Sequence, residues 1–142
     1  MAGPDLTASQ LQELLALRAA VFVVEQECIY LDVDGRDLEN GTEHLWFEDG
    51  SGITAAVRII DEPGGRRLGR VVTRSDSRGN GLASKLMVSA LEHLGSTTTV
   101  LDAQSHLTNF YARLGYSNDG PEFIEDGIAH TPMIRRVERS SE

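Results

Sequence analysis

Cysteine is nearly absent from this 142-residue chain, where Cys28 stands alone. One thiol excludes an internal disulfide framework and a cysteine-rich zinc site, and makes a reducing cytoplasm the expected compartment. Long apolar runs are missing too. No stretch approaches the roughly 20 residues of a membrane span, and no membrane partner is expected. The first residues, MAGPDLTASQ, carry neither a basic start nor an apolar stretch, so no secretory signal is expected. Basic residues are scarce, 13 against 22 acidic, for a net charge of −9. That balance argues against a nucleic-acid partner, because phosphate contacts need surplus Lys and Arg.

What is present is globular composition, 40% hydrophobic and 25% charged. The length suits one domain over residues 1–142. The charge is unevenly placed. Residues 1–62 hold 13 acidic side chains and three basic ones, Arg18, Arg36 and Arg58, a net of −10. Between Arg66 and Lys85 the sign reverses, with six basic residues against Asp76, a net of +5. Two ligands of opposite charge would suit such a chain, and so would a merely solvated acidic surface.

Apolar residues at Leu11, Leu14, Leu15, Val21 and Phe22, with Ser9 as N-cap, predict a helix from about Ala8 to Ala20 and a second helical piece to Glu27. His44–Glu48 and Ile53–Ile60 read as strands joined by the turn Asp49-Gly50-Ser51-Gly52, and Leu68–Thr73 as a third. A helix over Leu82–Leu94 ends at Gly95. Thr97–Ala103 reads as a strand, Thr108–Leu114 as a short helix, and Phe123–Glu125 and Met133–Val137 as closing strands. The order implies an α+β fold with a mixed α/β sheet and excludes a doubly wound sheet.

Residues 70–87, RVVTRSDSRGNGLASKLM, carry the clearest chemical signal. A strand runs through a polar turn with Gly79 and Gly81 into a helix. Free amides at a helix N-terminus, the positive end of its dipole, bare glycine backbone and Arg78 together suit a bound anion such as a pyrophosphate. The turn lacks the Gly-Lys-Ser/Thr of a Walker loop and the three-glycine spacing of a dinucleotide fingerprint.

Arg78-Gly79-Asn80-Gly81-Leu82-Ala83 resembles motif A of the GNAT superfamily of acyl-CoA-dependent N-acetyltransferases. Phe110-Tyr111-Ala112-Arg113-Leu114-Gly115-Tyr116 resembles the superfamily's Phe/Leu-Tyr-x-x-x-Gly-Phe/Tyr motif. The ElaA-like branch is closer still. Its pattern runs along the chain in Val21-Phe22-Val23-Val24-Glu25-Gln26, Tyr30, Asp32-x-Asp34-Gly35-x-Asp37, His44-Leu45, Gly69-Arg70-Val71-Val72, Ala103-Gln104-x-His106-Leu107 and Glu125-Asp126-Gly127-Ile128-x-His130.

The resemblance implies a central, mostly antiparallel sheet flanked by helices, in which strands Leu68–Thr73 and Thr97–Ala103 are parallel neighbours that splay apart. It implies acetyl-CoA as co-substrate and no metal. Backbone of Val71, Val72 and Thr73 would meet the pantetheine arm. Gly79, Asn80, Gly81, Leu82, Ala83 and Ser84, with Arg78, would hold the pyrophosphate. Tyr111 would protonate the departing thiolate. Gln104 stands seven residues before it, where many members have Asn, and is a further cofactor contact. A homodimer is an expectation of the same kind.

Amine acylation needs a neutral amine, and a lysine-like amine near pKa 10.4 is mostly protonated at neutral pH. The site must attract a cation and take its proton. Glu25, His44, His106, His130 and Glu125 are the candidate bases; histidine's ordinary pKa suits the task better. His93 is expected to face solvent. The acceptor is expected to be a small-molecule or peptide amine, cationic, in a pocket walled by the acidic first half, with Glu25 and the Asp32–Asp37 loop at its mouth. Two alternatives remain. Arg18, Val21-Phe22, Asp34, Asp37 and Arg58 also resemble the front half of acyl-homoserine-lactone synthases. A CoA-binding module without catalysis is the other.

Overall fold

The computed structural model describes residues 1–26 and 32–136. Glu27, Cys28, Tyr30 and Val137 lie outside the described residues. Helix α1 spans Ala8–Arg18. Its cap is Thr7 and not Ser9: the Thr7 side chain accepts from the Gln10 amide at 3.1 Å, while the Thr7 amide donates to Gln10 Oε1 at 3.0 Å. This capping box satisfies two orphan amide donors at once. After Arg18 the chain widens into a π-helical segment, Ala19–Glu25, through a crowded run of three β-branched valines and one aromatic, Val21-Phe22-Val23-Val24. Leu14, Leu17 and Val21 pack on Ile53, Ala56 and Val72 of the sheet.

The sheet has seven strands. They are β1 (Glu43–Asp49), β2 (Gly52–Glu62), β3 (Gly65–Thr73), β4 (Thr99–Gln104), β5 (Ser117–Asn118), β6 (Phe123–Glu125) and β7 (Ile128–Arg135). Their order is β1-β2-β3-β4-β7-β5, with β6 also beside β7. Helix α2 (Leu82–Leu94) covers one face, burying Leu86, Met87 and Ala90 against Ala55, Val57, Leu68 and Leu101. Each large apolar side chain buried here is worth about 1.5–3 kcal/mol. The short α3 (Thr108–Ala112) follows β4.

Two irregularities shape the sheet. Strands β3 and β4 are parallel but paired only at Arg66–Thr99 and Arg67–Val100, so they part after one turn of ladder. On its other side β3 bulges: Arg58 faces Gly69 and Ala56 faces Val72, leaving Arg70 and Val71 opposite one residue of β2. Arg70 takes the left-handed φ of 52° that this bulge demands. The closing strand β7 begins at Ile128, five residues before the expected Met133, and contains Pro132. The Pro132 carbonyl accepts from the Asp119 amide at 2.8 Å. N–H and C=O of one strand residue point the same way, so the donor that proline lacks would face away from β4, and the β4–β7 ladder loses nothing.

A closed ring of charge ties these pieces together. Arg18 lies in the buried stripe of α1, 1% exposed. Its Nε meets Asp32 at 3.0 Å and its Nη1 meets Asp37 at 2.7 Å. Asp37 is shared with Arg58 at 3.3 Å. Arg58 grips Asp34 with two nitrogens, at 2.8 and 2.9 Å. Arg70 touches Asp34 at 3.4 Å and Asp32 at 2.7 Å, which returns to Arg18. Three arginines alternate with three aspartates. Burial pulls the Arg18 guanidinium down, but Asp37 and Asp32 overrule it and hold it above its ordinary value. Burial would raise Asp34; the Arg58 fork, the Arg36 amide and the charge of Arg70 lower it to about 2. Asp37 is lowered as well, burial being outweighed by Arg18.

Arg18→Met leaves the aspartates short of a cation inside the protein, and should cost about 3–5 kcal/mol in chemical denaturation. Acid should act on the same ring. A carboxylate depressed by folding stabilises above its unfolded pKa, so stability should fall as pH drops from 3.8 towards the folded Asp34 value of about 2. An acid titration of the denaturation midpoint that stays flat through this window would contradict the ring's contribution.

Candidate active site

The parting of β3 from β4 opens a cleft of about 490 Å³. Gly69, Arg70 and Val71 form one wall and Leu101, Asp102 and Gln104 the other. Phe22 and Gln26, at the end of the π-helical segment, close it on one side; Glu125, Asp126 and His130 of the β6–β7 hairpin close it on the other. Tyr111 lines it from α3.

A second cavity of about 240 Å³ continues from the end of β3, lined by Thr73, Arg78, Gly79, Gly81, Ser84 and Phe110. Gly79 and Gly81 hold φ of 84° and 70°, which disfavours other residues. A Cβ built on either would meet nothing within 4 Å, so the backbone is bare to the cavity. Gly81 caps α2 without a side-chain hydrogen bond, and Lys85 makes the first bond back to it at 3.0 Å. The amides of Leu82, Ala83 and Ser84 therefore stand at the cavity as orphan donors at the positive end of the helix. These are the requirements of an anion cradle.

The expected cofactor residues divide. Val71, Gln104 and the Arg78–Ser84 turn are brought to the two cavities, except that Asn80 spends its amide on the Ser77 carbonyl at 3.2 Å. Thr73 lines the smaller cavity, whereas the side chain of Val72 is turned into the core beneath α1.

The four expected catalytic residues divide as well. Tyr111 is 7% exposed and sits edge-on to Phe110 and Tyr116, with ring centroids at 5.0 and 6.0 Å. Burial, with a smaller push from Tyr116, raises its phenol to about 12. His130 stacks on Phe123 at 5.6 Å, and its Nδ1–H donates to the Ile128 carbonyl at 2.8 Å. That bond assigns the proton to Nδ1 and leaves Nε2 as an acceptor. His44 is not brought to the cleft. It is 1% exposed in β1, and its Nε2 bonds the Asp37 carbonyl at 2.8 Å. Burial lowers its pKa. It props the ring of charge and lines neither cavity. Glu25 is not in the larger cleft either; it pairs with Arg78 Nη1 at 2.5 Å.

Among the other candidate bases, Glu125 lines the cleft and His106 is exposed outside it. His93, expected in solvent, is half exposed but meets Glu43 at 2.6 Å.

The charge map also departs from expectation. The basic island and the acidic half interlock: Arg66 pairs with Glu43 and Asp61, Arg67 with Glu62 and Asp102, Arg74 with Asp49 and Asp76. Asp32, Asp34 and Asp37 face arginines within the ring. The acids that line the cleft are Asp102, Glu125 and Asp126, from the second half. The sequence did not mark Phe22, Arg67 or Arg70 as cleft-forming. Gly69 within a strand was the one available signal of the bulge. No helix among the described residues is long and apolar enough to cross a membrane.

Comparison with known proteins agrees with this geometry. A family model described as an acetyltransferase (GNAT) domain matches residues 10–137. The chain belongs to this GNAT acetyltransferase domain family. A UPF0039 protein of Mycobacterium tuberculosis is 46% identical over 136 residues, spanning 92% of this chain and 87% of that protein. The crystal structure of an acyl-CoA N-acyltransferase from Pseudomonas aeruginosa superimposes with a TM-score of 0.90 at 40% identity, covering 95% of each chain. That of Escherichia coli ElaA gives 0.89 at 36%, covering 96% of each. The expected GNAT fold, with its mixed sheet, is the observed one.

A raised phenol is checked by alkaline absorbance titration. Tyr111 should stay neutral past the ordinary phenol value of about 10 and ionise towards about 12. Its unfolded counterpart ionises first, so stability should fall as pH rises through this interval. Tyr111→Phe should delete late phenolate absorbance; loss of an early-titrating signal instead would refute the assignment.

Proposed function

We propose that this protein transfers an acetyl group from acetyl-CoA directly to a primary amine. The observation that carries the reading is a pair of cavities set along β3 and α3: the bare-backbone cradle at the start of α2, lined by Thr73 and Phe110, and the cleft lined by their near neighbours Val71 and Tyr111. The cradle fits an anionic donor: three orphan amides, two glycines with open space over them, and Arg78. Acetyl-CoA would supply an activated thioester there.

The amides of Leu82, Ala83 and Ser84 hold the pyrophosphate by charge-assisted hydrogen bonds. The stretch of β3 from Gly69 to Thr73, paired with β2 but not with β4, offers the backbone groups of its open edge to the amide-bearing arm. Tyr111 remains protonated at neutral pH and lines the cleft, and its hydroxyl has no hydrogen-bond partner among the described residues. A phenol at about 12 facing a thiolate of ordinary pKa near 8.5 acts first as a hydrogen-bond donor. It stabilises negative charge on sulfur as the carbon–sulfur bond breaks, and the proton it passes to the thiolate is made good by the one the amine gives up to His130, so that amine and thioester become amide and thiol with Tyr111 and His130 restored.

On the acceptor side, His130 Nε2 takes the proton of the attacking amine. The Ile128 carbonyl steadies the charged ring that results. Glu125 has no hydrogen bond or ion pair among the described residues, and its carboxylate holds the ammonium before deprotonation. The cationic acceptor is thus guided by the β6–β7 hairpin, a different segment from the one its sequence suggested.

Calorimetry should show acetyl-CoA and CoA binding; failure of folded protein to bind either would defeat the reading. Against a panel of diverse amines, Tyr111→Phe should lower kcat by about 10²-fold with donor affinity little changed. An undiminished rate, with chemistry limiting, would remove Tyr111 from the mechanism.

A further inference from the structure

We propose that Glu25 and the phosphates of the acyl donor compete for Arg78, so that donor binding frees the end of the π-helical segment and resets the Phe22–Gln26 wall of the cleft, opposite the β6–β7 hairpin. The proposal rests on the reading of the Gly79–Ser84 turn as the donor's pyrophosphate site.

Arg78 is the single charged residue lining the smaller cavity. Each of its three nitrogens already donates one hydrogen bond within the protein. Nη1 donates to Glu25 Oε2 at 2.5 Å, and Nε and Nη2 donate to the Thr73 carbonyl at 3.3 and 3.2 Å. A donor phosphate in the cradle competes for these same nitrogens. Arg–phosphate pairing is charge-assisted and bidentate, and so displaces a single carboxylate contact. The displaced contact is cheap to break, because Arg78 and Glu25 are 41% and 43% exposed and exposed ion pairs are weak. Were Glu25 to stay, its negative charge would sit beside the phosphates.

Glu25 is the last residue of the π-helical segment. Among the described residues Arg78 is its only side-chain partner. One turn back lies Phe22, and next to it Gln26, and both line the larger cleft. Among the described residues a single ion pair therefore joins the donor's cradle to the Phe22–Gln26 wall of the cleft. Linkage is reciprocal: whatever donor binding does to the wall, an acceptor that fixes the wall does to donor affinity. Glu25 is a positioning residue in this account and does not act as the base.

Donor affinity is measured by calorimetry with CoA for the wild type, Glu25→Gln, Arg78→Ala and the double variant. Removing the competitor should tighten CoA binding in Glu25→Gln by about 3- to 10-fold at low salt, and less at high salt. Arg78→Ala should weaken binding, and adding Glu25→Gln to it should gain nothing. Hydrogen exchange of residues 19–26 should quicken when CoA binds the wild type, and should already be quick in unliganded Glu25→Gln. Equal or weaker CoA binding by Glu25→Gln overturns the proposal. So does a gain that survives Arg78→Ala, which would be simple repulsion without exchange of partners. Absence of CoA binding in all four proteins would instead strike the cradle itself, and the proposal with it.

Discussion

The architecture depends on how six charges are closed into one ring, four of them buried (Arg18, Asp32, Asp37 and Arg58) and two, Asp34 and Arg70, at its outer side. Arg18 arrives on the apolar stripe of α1, Arg58 on β2 and Arg70 on the bulge of β3, while Asp32, Asp34 and Asp37 come from one loop. Isolated, any of these groups would be expensive to remove from water. Closed into a ring, each guanidinium lies between two carboxylates and each carboxylate between two guanidiniums. Attraction alone does not explain such a ring, since well-packed apolar residues can be as stable. Its distinctive effect is geometric: the loop, the helix and the bulge can satisfy their charges only in one mutual arrangement. The bulge belongs to the strand that parts from β4, so the ring stands directly behind the cleft.

Much of the architecture was legible in the residues. Alternation and turn chemistry located the first three strands, and the apolar period of residues 82–94 with Gly95 located α2 to the residue. The glycine turn and Tyr111 were legible because their chemistry is local: positive φ, bare backbone and a phenol at a fixed interval from Gly115. What escaped was set by partners distant in the chain. Thr7 took the cap from Ser9 because Gln10 could reach back. The start of β7 was hidden because Pro132 reads as a breaker until its missing donor is seen to face away from β4. His44 looked like a base until the Asp37 carbonyl was found on its ring.

Charge shows the same limit more sharply. A run of acids followed by a run of bases suggested two opposing fields. Antiparallel pairing of β1, β2 and β3 folds one run onto the other, and most of the asymmetry becomes cross-strand ion pairs. Glu25, which the sequence offered as a proton acceptor, was drawn into this pattern by Arg78, more than fifty residues on. Glu125 and His130, the residues proposed to meet an amine, sit on a short hairpin whose significance lay in its place on the same cleft as Tyr111 and not in its composition.

Pro132 carries a consequence for the behaviour of the protein in concentrated solution. The flank of β7 away from β4 is taken by β6 up to His130 and by β5 from Met133, and proline sits at the junction. An incoming strand seeking a ladder there finds short, already occupied pieces and a position with no donor to give. The break between β5 and β6 thus guards that flank against strand addition by neighbouring copies.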